Sequence, residues 1–156
     1  MKASSLLLDR RLSFALRLII GTVLILASLG KLTDPRTFAD ALAAYALLPA
    51  AAVAPAAVVL PWVELVAGLA LLTGVPARSA GLVAAVLAVG YVAATASAVA
   101  RGFSISCGCF GDAASSSPLG WGDVAWRVAL LTATLQVVAA ESLVAEPARL
   151  LLRRRA

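Results

Sequence analysis

LSFALRLIIGTVLILASLGKL, Leu12 to Leu32, carries charge only at Arg17 near its start and Lys31 near its end. About 20 apolar residues at 1.5 Å each cross the roughly 30 Å of hydrocarbon in a bilayer, so the stretch is long enough to span one. Its basic approach resembles that of an export signal. No small-x-small cleavage site follows Ile25-Leu26-Ala27-Ser28-Leu29, however, and more apolar runs come after it. It reads as an uncleaved transmembrane helix, and that reading sets the class of the chain.

Three further spans follow. The second runs from about Val53 to Thr73, contains Pro61 and Glu64, and ends in the turn Gly74-Val75-Pro76. The third is the uncharged stretch Ser79 to Ala100, bounded by Arg78 and Arg101. The last, about Trp121 to Ala140, includes Asp123 and Arg127 and leads to a basic tail over 147–156. After the first span, Thr33-Asp34-Pro35 is a helix-start signal with proline at the first helical position. A short interfacial helix is expected there, from Phe38-Ala39-Asp40 to Leu48, closed by Pro49. Gly81, Gly90 and Ala94 are small residues suited to close helix packing.

Composition agrees. The 156 residues are 62% hydrophobic and 13% charged, whereas soluble domains are about a quarter charged; mean hydropathy is +0.99. A water-soluble fold is excluded. The expected architecture is all-α, a polytopic four-transmembrane-helix bundle, with 1–156 forming a single membrane domain. The pI near 10.0 does not indicate nucleic acid, because the cations gather at the chain ends. Lys2, Arg10, Arg11, Arg78, Arg149, Arg153, Arg154 and Arg155 fall on one face of a four-span topology, against Lys31, Arg36 and Arg101 on the other. The positive-inside rule makes both termini cytoplasmic in a cell inner (plasma) membrane and the connection after the third span extracytoplasmic. With no histidine and only the initiator methionine, His-based triads, histidine-ligated haem and most zinc sites are unavailable.

That third connection holds both cysteines, in Cys107-Gly108-Cys109-Phe110-Gly111. Across two residues of extended chain the Cα atoms lie about 7 Å apart, the limit of disulfide geometry, so a bridge needs the turn that Gly108 permits. A strained, exposed disulfide in the oxidising compartment exchanges readily, and so small a ring would stabilise the fold little. Arg101, and the start of the last helix around Pro118, place thiolate-stabilising charge nearby. Two rival readings are incidental loop cysteines and a Cu(I) site; zinc would need ligands such as Asp112 or a second subunit. No metal is expected.

Glu64 lies near mid-bilayer, where a carboxylate is either paired or functional, and an ion pair with Arg17 or Arg127 is expected to hold it. Asp123 and Arg127, four apart, are expected to pair locally. Trp62, Trp121 and Trp126 read as interfacial anchors, with quinone stacking the alternative.

Gly30-Lys31-Leu32-Thr33-Asp34-Pro35 with Phe38, Leu60-Pro61-Trp62-Val63-Glu64-Leu65, and Cys107-Gly108-Cys109-Phe110-Gly111 together resemble the MauE-type methylamine-utilisation proteins, within the wider DoxX-like four-helix membrane set. The resemblance implies a role in maturing an exported, disulfide-rich protein, such as a methylamine dehydrogenase subunit, beside a thioredoxin-like partner. It makes Cys107 and Cys109 the redox pair, with Gly108, Phe110 and Gly111 in support, and Lys31, Trp62 and Glu64 family-pattern positions. The leading expectation is a thiol-disulfide relay. A quinone is the one cofactor the scheme invites, although nothing in the sequence marks its site. A non-catalytic scaffold of a redox complex and a copper-handling or transport protein are the alternatives.

Overall fold

The computed structural model describes residues 10–74, 77–103 and 120–153. The motif from Cys107 to Gly111 lies outside them, as do Asp112, Pro118, and Val75 and Pro76 of the expected turn. In chain order the elements are α1 (Arg10–Thr33), α2 (Pro35–Ala44), α3 (Ala50–Thr73), α4 (Ala77–Ala100) and α5 (Trp121–Arg153), with no strand among the described residues. Among the described residues, four stretches are long and apolar enough to cross a membrane: Leu12–Thr33, Ala50–Thr73, Arg78–Ala100 and Trp121–Ala140. The chain is a multi-pass, four-helix membrane protein.

The connection between α1 and α2 is made by its sequence. The Asp34 carboxylate accepts from the Thr37 backbone N–H at 3.1 Å and from the Thr37 hydroxyl at 2.6 Å. Pro35 opens the helix with a fixed φ where no amide donor is needed. These bonds hold the Asp34 carboxyl below its ordinary range, the Thr37 hydroxyl being the larger cause. The helix is shorter than expected. It ends at Ala44 instead of Leu48, because Tyr45 caps it and Ala46 turns left-handed at φ 51. Pro49, extended at φ −62 and ψ 146, then starts α3 at Ala50 instead of Val53. At the other end of α3, Gly74 takes φ 80 and returns its N–H to the Ala70 carbonyl at 2.9 Å. The helix α5 continues to Arg153, so most of the expected tail is helical, in keeping with its run of Ala, Leu, Glu and Arg.

α1 packs most closely on α3, and α4 on α5; the α3–α4 and α1–α5 contacts close the ring, and α2 rests on α3. Gly21 and Gly68 let α1 and α3 touch through their backbones: a Cβ at Gly68 would stand 2.9 Å from the Gly21 carbonyl oxygen, and one at Gly21 3.0 Å from that of Gly68. Of the small residues picked out in the sequence, Gly81 does meet α5, where a Cβ would come 2.9 Å from Val138 Cγ2. Gly90 faces open space.

The bundle divides into two halves along its length. Ile20, Leu71, Ala80, Ala84 and Val137, one or two from each spanning helix, form the apolar core in the half near the start of α1. The half beneath α2 is buried and polar, holding Ser28, Lys31, Glu64, Thr95 and Arg127.

Candidate functional site

The polar half is built on helical register. On α3 the buried residues Ala57, Pro61, Glu64, Gly68 and Leu71 repeat every three or four positions, which makes one inward stripe and puts Glu64 at its centre. Lys31 stands near the end of α1. Side chains on a helix lean toward its N-terminus, so Lys31 reaches down into the bundle, away from the surface. The two meet: Lys31 Nζ donates to Glu64 Oε1 at 2.7 Å and to Oε2 at 2.6 Å.

Tyr91 of α4 completes a closed set. Its hydroxyl accepts from Lys31 Nζ at 3.1 Å and donates to Glu64 Oε1. An ammonium has three donors, and all three of Lys31's have oxygen acceptors. The cation also lies 5.2 Å from the centroid of the Phe38 ring and 4.8 Å from that of Tyr91. Lys31 is 1% exposed and Glu64 0%. Separating two charges from water at this depth costs several kcal/mol per ion, roughly, and the pair is tolerated because attraction and hydrogen bonds offset that cost together.

One turn further along α4, the Thr95 hydroxyl donates to the Tyr91 carbonyl at 2.7 Å and accepts from Arg127 Nη1 of α5. The buried polar layer thus takes a side chain from each of the four spanning helices, and Phe38 ties α2 to it. Such an arrangement fixes helix register and seats α2.

Two expected ion pairs are corrected. Glu64 bonds to Lys31 and Tyr91, not to Arg17 or Arg127. Arg17 lies at the opposite end of α3, where a side chain at Gly74 would meet its guanidinium at 3.0 Å, a favourable place for a cation at a helix C-terminus. Asp123 does not pair with Arg127. Its carboxylate accepts from the Gly120 N–H at 2.9 Å, half of a capping box at the start of α5. Tyr91 and Thr95 were not foreseen, although their four-residue spacing in a mostly apolar helix is the signal that could have found them.

Arg101 stands just past α4, at the end of the bundle that carries α2. It donates from Nη2 to the Tyr45 carbonyl at 2.7 Å and from Nε to the Ser97 carbonyl at 3.1 Å, and its guanidinium lies 4.6 Å from the centroid of the Phe103 ring. Trp62 differs from expectation. It stands twelve residues into α3, about 18 Å along the axis, so it is midway along the span rather than at an end. It is 55% exposed and points away from the Glu64 stripe, into a lateral groove of about 500 Å³ walled by Val58, Val59 and Val66 and by Ser79 and Val83 of α4. Trp121 and Trp126 are exposed in the first turns of α5, as anchors would be. The structure therefore brings Lys31 and Glu64 together, sets Arg101 just past the end of α4 against Tyr45 and Phe103, and leaves Trp62 apart from both.

The family model for the methylamine utilisation protein MauE matches residues 9–140. The chain belongs to the MauE family. The matched residues take in all four spans, the buried Lys31–Glu64 pair and the Cys107–Cys109 motif, and place the chain among membrane proteins of methylamine utilisation. No curated protein and no solved structure matches the chain.

Proposed function

We propose that this MauE-family chain is a membrane thiol-disulfide exchange protein. Cys107 and Cys109 form its redox pair, and it supports disulfide formation in an exported protein such as a methylamine dehydrogenase subunit. The observation that carries the reading is the motif itself: two cysteines about one glycine in a chain that has no others, placed between the ends of α4 and α5. Family membership supports it, since MauE proteins belong to methylamine utilisation. The lysine and arginine distribution supports an extracytoplasmic location for that connection, with both termini cytoplasmic.

In this reading a thiolate of the reduced pair attacks a disulfide on a thioredoxin-like partner. A mixed disulfide forms and one partner thiolate leaves; the second cysteine then attacks the mixed bond, closing the Cys107–Cys109 disulfide and releasing the partner as a dithiol. Two electrons and two thiol protons pass to the partner, and the reverse sequence oxidises a substrate. The bundle holds the pair at the membrane surface, and the buried Lys31–Glu64–Tyr91 set holds the bundle. The test is replacement of each cysteine by serine in cells that carry a thioredoxin-like partner and an exported substrate. Cys107→Ser and Cys109→Ser should each leave the substrate's thiols reduced; full disulfide formation in both variants would defeat the proposal and favour a non-catalytic scaffold.

A further inference from the structure

We infer that Arg101 is a positioning residue, whose guanidinium fork clamps the start of the cysteine-bearing connection to the interfacial helix and acts through shape, not through its charge on the thiols. The inference rests on the thiol-disulfide reading and names how the chain presents that pair.

The end of α4 is built to send the chain out in one direction. Gly102 takes φ 70 with open space around it, so the conformation alone calls for glycine there. The Gly102 N–H returns to the Val99 carbonyl at 3.0 Å and the Phe103 N–H to the Ala98 carbonyl at 3.0 Å, the two bonds of a Schellman motif. That turn folds the Phe103 ring back against the Arg101 guanidinium. The same guanidinium donates to the Ser97 carbonyl and hydroxyl on its own helix and to the Tyr45 carbonyl on another.

Tyr45 caps α2, and carbonyls at a helix C-terminus lack intrahelical donors, so Arg101 supplies what α2 is missing. Three segments, the ends of α4 and α2 and Phe103 beyond the turn, therefore meet on one planar group. A lysine would keep the charge but could not span these directions with a single ammonium. All the hydrogen-bond partners of Arg101 among the described residues are neutral oxygens, so its charge is not cancelled by a carboxylate there. Charge and shape are thus separable by one substitution.

The experiment compares the unmodified chain with Arg101→Lys and Arg101→Gln, each full length in lipid nanodiscs. Three quantities are measured: the redox potential of the pair in glutathione buffers, the rates at which the reduced pair reduces glutathione disulfide and oxidised thioredoxin, and hydrogen exchange of the amides at Ala46 and Phe103. Both variants should exchange those amides roughly tenfold faster and reduce thioredoxin roughly tenfold more slowly, with the potential and the glutathione rate unchanged. Wild-type rates in Arg101→Lys with slowed rates and a shifted potential in Arg101→Gln would overturn the inference in favour of a charge effect. Unchanged amide exchange in both variants would overturn it outright. If the unmodified pair shows no reversible transition, the thiol-disulfide reading fails, and the amide exchange still decides the clamp.

Discussion

Around Ile20, Leu71 and Val137 the four helices meet in an apolar cluster, with alanines from α4 and the Gly21–Gly68 crossing letting backbones approach. Around Lys31 and Glu64 the same helices meet through charge and hydrogen bonds, in a layer to which each of them contributes a side chain. Lipid tails are as apolar as the helix faces, so burying alanine and leucine against one another gains little in a membrane, and the first half depends on close fit. The second half depends on completeness: a buried ion pair with all its donors used is stable, and the same pair missing one member is not. The helix α2 and the end of α4 both sit at the polar end. Directional bonds thus hold the polar half, and close contact dominates in the apolar one.

Breaking the polar half should have the largest effect. Glu64→Leu and Lys31→Met each leave an uncompensated buried charge and should cost about 3–5 kcal/mol. The double variant should recover most of that loss. A double-mutant cycle on unfolding in mixed micelles checks this, and additive losses would mean that the two side chains are not coupled. Tyr91→Phe removes the hydroxyl that bonds both partners while keeping the ring over the ammonium, and should cost about 1.5–3 kcal/mol in the same assay.

In the apolar half, Gly68→Ala pushes a methyl group into the Gly21 carbonyl and should cost about 1–3 kcal/mol. Gly90→Ala, facing open space on the same kind of helix, should leave stability unchanged or raise it, so equal losses at Gly68 and Gly90 would refute the close-crossing account.

The smallest effect concerns Asp34. Its carboxyl is held below the ordinary range by the Thr37 bonds, so its contribution to the start of α2 is present above the unfolded-state value and fades as pH falls through the depressed one. Amide exchange at Thr37 should quicken on that acid side, and Asp34→Asn should flatten the dependence.

Much of this was legible in the chain. The spans follow from apolar length, and Asp34-Pro35 announced the start of α2 because capping is local chemistry. What stayed hidden depends on register between distant segments. Nothing within either helix shows that Lys31 and Glu64 face each other; that follows only when α1 and α3 cross at Gly21 and Gly68, and glycine and alanine are too common here for that crossing to stand out. The end of α2 was misjudged because Ala46, a good helix former, is the residue that turns left-handed. Arg101 was read as a charge near thiols, while its bond to Tyr45 needed the fold to become visible.

The most direct test of the central claim is the redox state of Cys107 and Cys109 in native membranes, read by alkylating thiols before and after reduction across a series of glutathione buffers. A single reversible two-electron transition shared by the two cysteines, within the range of thiol-disulfide exchange proteins, is expected. Two thiols that stay reduced and independently alkylated at every potential would contradict it.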